Sequence, residues 1–143
     1  MTTPSEAALT LPPVRMIVLR LVATLELSLV IGQAGWAAAM IGGQEQFRPH
    51  HEVGAVITLV TCALGAVSYL VLRRWAGAVN VALAVLLAVL VGVQYALGES
   101  GAVAAHVFLG VLIAMVATAL TSWTYRHSPP DHVAQEALSA TPR

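Results

Sequence analysis

The chain has 143 residues, is 58% hydrophobic and carries only 10% charged side chains, with a formal net charge of zero. So apolar a composition excludes an ordinary soluble domain and reads as a membrane protein. The balanced charge leaves no basic footprint for nucleic acid, and the sole cysteine, Cys62, excludes an internal disulfide.

In chain order, residues 1–14, beginning "MTTPSEAALTLPP", are polar and proline-containing and read as a flexible cytoplasmic tail. The apolar run from Met16 to Ile41 follows. It is too long for the apolar core of a signal peptide, about 7–15 residues, and it contains Glu26 and Gln33. It is expected to be a retained transmembrane helix. Three more runs, 52–72, 76–97 and 102–125, reach the roughly 20 apolar residues that a spanning helix needs. None alternates as a barrel strand would. The fold class predicted is therefore all-α: an integral membrane four-helix bundle over 15–126. A second flexible cytoplasmic tail follows over 127–143, where His127 and His132 are expected at the solvated surface.

The arginines orient this bundle. Arg15, Arg20, Arg73, Arg74, Arg126 and Arg143 fall on one side of a four-span topology, and Arg48 alone falls on the other. The positive-inside rule puts both termini in the cytoplasm and the loops around Arg48 and "GESG" outside. All seven basic residues are arginine, in a chain rich in Ala, Val, Gly and Leu. That usage points to a bacterial plasma membrane.

The halves resemble each other. "VIGQAGWAAAMIGGQEQFRPHHEVGAVI" and "LVGVQYALGESGAVAAHVFLGVLI" each hold a glutamine, a glycine-containing loop, a histidine and a glycine four residues later. Gln33 pairs with Gln94, His50 with His106, and Gly54 with Gly110. Two repeated hairpins bring one histidine from each half to the same membrane side, and bundle cores are where facing helices build cofactor sites.

On the second span Gly54, Thr58, Thr61, Gly65 and Ser68 share a face. At 100° per residue His50 lies about 40° from its centre and His51 about 60° on the other side. His50 is the favoured ligand and His51 the alternative. Axial imidazoles from His50 and His106 on a haem b, with Gly54 and Gly110 clearing room for the flat ring, account for the pattern. Two histidines leave the iron six-coordinate, which suits electron transfer. Arg48 is then placed to pair with a propionate. Gln33 and Gln94 are placed to hydrogen-bond propionates or ligands.

Taken singly, each motif also fits plain interhelical hydrogen bonding; the recurrence favours haem. A zinc or copper site from Glu45, His50, His51, Glu52 and His106 is a further alternative. Glu26, near mid-span, is an ionisable group in an expensive place. An interhelical hydrogen bond to Asn80 is expected for it, with a proton path or quinone contact as the sharper alternative. No phosphate loop, nucleophile elbow or cysteine pair marks a soluble catalytic centre.

"EQFRPHHEVG" and "GVQYALGESGAVAAHVFLG" resemble segments of the haem A synthase family, over about residues 25–120. That resemblance implies a four-helix unit whose second and fourth helices carry haem-ligating His50 and His106, with Glu45 at an outer-loop acidic position. The chain lacks the family's Arg–Thr–Gly signature and outer cysteine pair, and it has one four-helix unit instead of two. It therefore points to a small haem-b membrane protein, perpetually lipid-embedded, serving a redox partner or a quinone. The alternatives are a haem-modifying enzyme active as a homodimer and a haem-free accessory subunit of a membrane complex.

Overall fold

The structure, a computed structural model, describes residues 12–129. The expected tails lie outside it, apart from residues 12–14 and 127–129. Four helices account for nearly everything described: α1 (Val14–Ile41), α2 (Arg48–Val71), α3 (Arg73–Glu99) and α4 (Val103–Arg126). A single 3-10 turn, Glu45–Phe47, leads into α2.

Sequence punctuation explains the boundaries. Pro13 precedes α1 and Pro49 sits in the first turn of α2, where a missing N–H costs nothing. Gly43 and Gly101 turn the chain with φ of +85° and +72°, a region other residues rarely enter. Leu72 alone joins α2 to α3. Gly77, at φ +76° and ψ 156°, then kinks the start of α3.

The helices pack in sequence order around a square, with α1 closing against α4. This is the up-and-down arrangement that short connections impose. α2 and α4 therefore face each other across a diagonal.

The bundle is apolar outside and partly polar inside. Leu21, Ile31, Leu64, Val89, Phe108 and Met115 are exposed, whereas Glu26, Thr58, Asn80 and Thr124 are buried. Water would oppose such an exterior and lipid accepts it. Glu45–Val71, Arg73–Glu99 and Val103–Arg126 are long and apolar enough to cross a membrane. The sequence implied four such segments. α1 is not among these three.

One end of the bundle gathers arginines on aromatic rings: Arg15 on Trp75 at 5.1 Å, Arg20 on Tyr125 at 5.4 Å and Arg126 on Trp123 at 5.2 Å. The core beside it is hydrogen-bonded. The Tyr69 hydroxyl donates to the Leu19 carbonyl at 3.1 Å and lies 2.7 Å from the Thr124 hydroxyl. His127, expected in solvent, instead packs its ring against Gly77, whose missing side chain leaves room for it.

The expected pairing of Glu26 with Asn80 is not formed. Asn80 donates to the Ala76 carbonyl at 2.8 Å and accepts from Thr124. Glu26 points instead towards Gly65 of α2.

Candidate functional site

The end of the bundle opposite the arginines holds a half-open cavity of about 410 Å³, within the ordinary range for small-molecule sites. All four helices line it. Ala34, Ala37 and Ala38 of α1, Ala55 of α2, and Gly110 and Ala114 of α4 create the room by being small. Gln33, His51, Gln94, Tyr95 and His106 supply its polar groups.

His51 and His106 face each other there. Their ring centroids are 6.3 Å apart and their planes cross at 78°. His50 takes no part. Its ring stacks at 6.2 Å from Trp36 and 6.0 Å from Phe47, on the exposed side of α2. The sequence favoured His50 with His51 as the alternative; it is His51 that lines the cavity.

The cause is helix phase. Gly54, Thr58, Cys62, Gly65, Ala66 and Tyr69 are the buried positions of α2, whereas Thr61 is only part-buried. The inward stripe is turned towards Cys62 and Tyr69. Tyr69 is 18 residues beyond His51, a whole number of turns at 100° per residue, so His51 points inward and His50 does not.

α4 has the same register. Its buried positions Ile113, Ala117, Leu120 and Thr124 follow His106 at the intervals by which Thr58, Cys62, Gly65 and Tyr69 follow His51.

One of the two imidazoles is held from behind by the main chain. His106 Nδ1 lies 2.9 Å from the Gln94 carbonyl. The protonated Nδ1–H donates there, which leaves Nε2 as the free lone pair. His51 is turned towards the Gln33 main chain, but its Nδ1 completes no full hydrogen bond.

Both predicted glutamines reach the cavity, and both carry buried atoms without partners: Gln33 Oε1 and Nε2, and Gln94 Oε1. Buried amide atoms are costly unless something hydrogen-bonds them.

The two predicted glycines do different work from that expected. A side chain at Gly54 would collide with Gln33 and Trp36, and one at Gly110 would press on Gln94 Nε2 at 3.3 Å. Each glycine makes room for a glutamine of the neighbouring helix. Gly110 also lines the cavity, and Gly54 does not.

Arg48 is not among the residues that line the cavity. Its guanidinium binds Glu45 through Nη2 at 2.6 Å and Nε at 3.1 Å, in an exposed i,i+3 pair. Among the described residues, no three His, Cys, Asp or Glu side chains gather as a metal site. The zinc or copper alternative therefore has no ligand set there.

The 6.3 Å between the His51 and His106 ring centroids is of the size that two imidazoles on one metal ion would require. Metal–imidazole bonds of about 2 Å put the two ligating nitrogens roughly 4 Å apart and the ring centroids about 6 Å apart. The unpartnered glutamine atoms offer hydrogen bonds beside that place.

No protein-family model, no curated protein and no solved structure matches this chain.

Proposed function

We propose that this chain is a four-span membrane cytochrome that holds one haem b between His51 and His106 and passes single electrons to or from a redox partner or quinone. The observation that carries the proposal is the 6.3 Å approach of those two rings across the α2–α4 diagonal, at the head of a cavity lined by all four helices. When bound, the haem would supply reversible one-electron chemistry.

The chain's own residues do the rest. His51 and His106 would hold the haem, His106 through the Nε2 that its bonded Nδ1 leaves free. The Gln94 carbonyl fixes the tautomer of His106. Gln33 and Gln94 hydrogen-bond polar edges of the ligand, and the alanines keep water from the ring.

α1 is the fourth span in this proposal. It is 28 residues long and packs along both α2 and α4. Its polar residues Glu26 and Gln33 turn into the bundle, where lipid does not meet them. The arginine-rich end then faces the cytoplasm and the cavity the outer side of a bacterial plasma membrane.

The two helical hairpins act as repeats. Gln33, Val30, Ala23 and Leu19 keep the spacing of Gln94, Val91, Ala84 and Asn80. Electron transfer is favoured over haem modification because Glu45, the outer-loop acid of the resemblance, is engaged by Arg48 rather than aimed into the cavity.

The test is an optical spectrum of the purified protein. Reduction should sharpen a Soret and an α-band of low-spin haem b, and both should be lost in His51→Ala and His106→Ala. A colourless protein, or unchanged bands in both variants, overturns the assignment. Mass analysis of the extracted haem separates carrier from enzyme, since only an enzyme converts the macrocycle.

A further inference from the structure

Glu26 is fully buried, at 0% exposure, and neither carboxyl oxygen has a hydrogen-bond partner. A carboxyl in that position is among the least favourable groups a membrane bundle can hold. Packing does not require it. The position at the same interval before Gln94 on α3, seven residues back, is Leu87, which is also 0% exposed. On α4, Leu120 stands at the interval from His106 at which Gly65 stands from His51 on α2. Where one half of the bundle uses two leucines, the other uses a glutamate and a glycine. A side chain at Gly65 would collide with the Glu26 carboxyl, so the missing Cβ is what admits it. The core is shaped around this acid.

Its place is next to the cavity. Val30, one turn along the same face of α1, lines the cavity, as does Thr58, one turn from Cys62 on α2. Gln33, at the level of the imidazoles, is seven residues from Glu26, about 10 Å of helix rise.

The titratable groups facing Glu26 are Cys62 and Tyr69 of α2. Tyr69 is already committed to Leu19 and Thr124. α3 and α4 bring Asn80, Thr121 and Thr124, none of which titrates. On α1 itself the nearest charge is Arg20, whose Nη2 donates to the Tyr125 carbonyl.

We propose that Glu26 is the proton-binding site of a proton-coupled electron carrier, a role that rests on the haem assignment above. Reduction of a bound haem by an external one-electron donor, a quinol or a reduced metal centre, would add one negative charge beside the cavity. The Glu26 carboxylate then binds one proton from the aqueous phase and becomes the neutral acid. Reoxidation returns both. The coupling is electrostatic: one added electron about 10 Å away, at an effective dielectric of about 20, changes proton affinity on the order of tenfold.

The sign follows. Reduction that takes up a proton is favoured by low pH, so the midpoint potential falls as pH rises through the range where Glu26 titrates.

The experiment is potentiometric titration of the purified haem-loaded protein across pH, in wild type, Glu26→Gln and Glu26→Asp. Wild type should show the falling potential, Glu26→Gln should lose at least half of that pH dependence while keeping its low-spin spectrum, and Glu26→Asp should retain it. Redox-induced infrared difference spectra of wild type labelled with 13C-glutamate supply a readout that needs no variant to fold. A protonated-carboxyl band should appear on reduction and shift with the label. An unaltered pH dependence in Glu26→Gln, or no label-sensitive band, overturns this role and leaves the cytochrome standing. A protein without haem overturns both.

Discussion

Tyr69 and Thr124 lie 55 residues apart and their hydroxyls meet at 2.7 Å in the bundle core. His51 and His106 are separated by the same 55 residues and also face each other, at the other end of the same two helices. One pair ties α2 to α4 by a hydrogen bond. The other brings two imidazoles to 6.3 Å between ring centroids beside the cavity.

His51→Ala and His106→Ala should each abolish the six-coordinate spectrum of the reconstituted protein and lower haem retention at least tenfold. His50→Ala should leave both within about twofold, because that ring packs outside the cavity on Trp36 and Phe47. Side-by-side haem titration of the three variants checks this. Loss in His50→Ala with retention in His51→Ala would reverse the ligand assignment.

Gln33→Leu should act in opposite directions on the empty and loaded protein. Both polar atoms of Gln33 are buried without partners, so removing them should stabilise the haem-free bundle by about 1–3 kcal/mol. The same change should weaken haem binding about 10–100-fold if the amide hydrogen-bonds the ligand or its histidine. Denaturation in mixed micelles with and without haem gives both numbers.

Gly54→Leu should be strongly destabilising. Its side chain would enter the space of Gln33 and Trp36, and overpacking of a close helix contact costs about 1–3 kcal/mol. Gly92→Leu is the control, since nothing lies within 4 Å of a Cβ there. Equal losses in the two variants would refute the close approach of α1 to α2.

Tyr69→Phe should cost about 0.6–1.7 kcal/mol, the range measured for interhelical hydrogen bonds in membranes. It removes the bonds to the Leu19 carbonyl and Thr124. A double-mutant cycle with Thr124→Val should show a coupling of similar size. Additive losses would show that the pair does not interact.

In a Cys62→Ala background, Gln44→Cys should react with a membrane-impermeant maleimide in intact cells, and Ser128→Cys only after the cells are opened. Cys62 itself should be inert, being fully buried. Labelling of both sites from one side would exclude four crossings.

The amino-acid sequence alone determined the all-helical architecture, its apolar exterior and the short connections. These depend on local composition: long runs of Leu, Val and Ala, with glycine and proline where the chain turns. It also determined that Gln33, Gln94 and His106 belong to one end of the bundle, since spacing along four antiparallel helices sets depth. Which of two adjacent histidines points inward was a question of phase. Its answer depended on the packing of Cys62 and Tyr69, two side chains whose burial composition does not reveal. The partners of Arg48, Asn80 and Glu26 were equally out of reach, because hydrogen bonds between helices depend on rotation about each helix axis, and a turn of less than one residue redirects them. Only the tertiary structure decided that Gly65 opens a place for a buried carboxyl, and that His51 and His106 share a cavity.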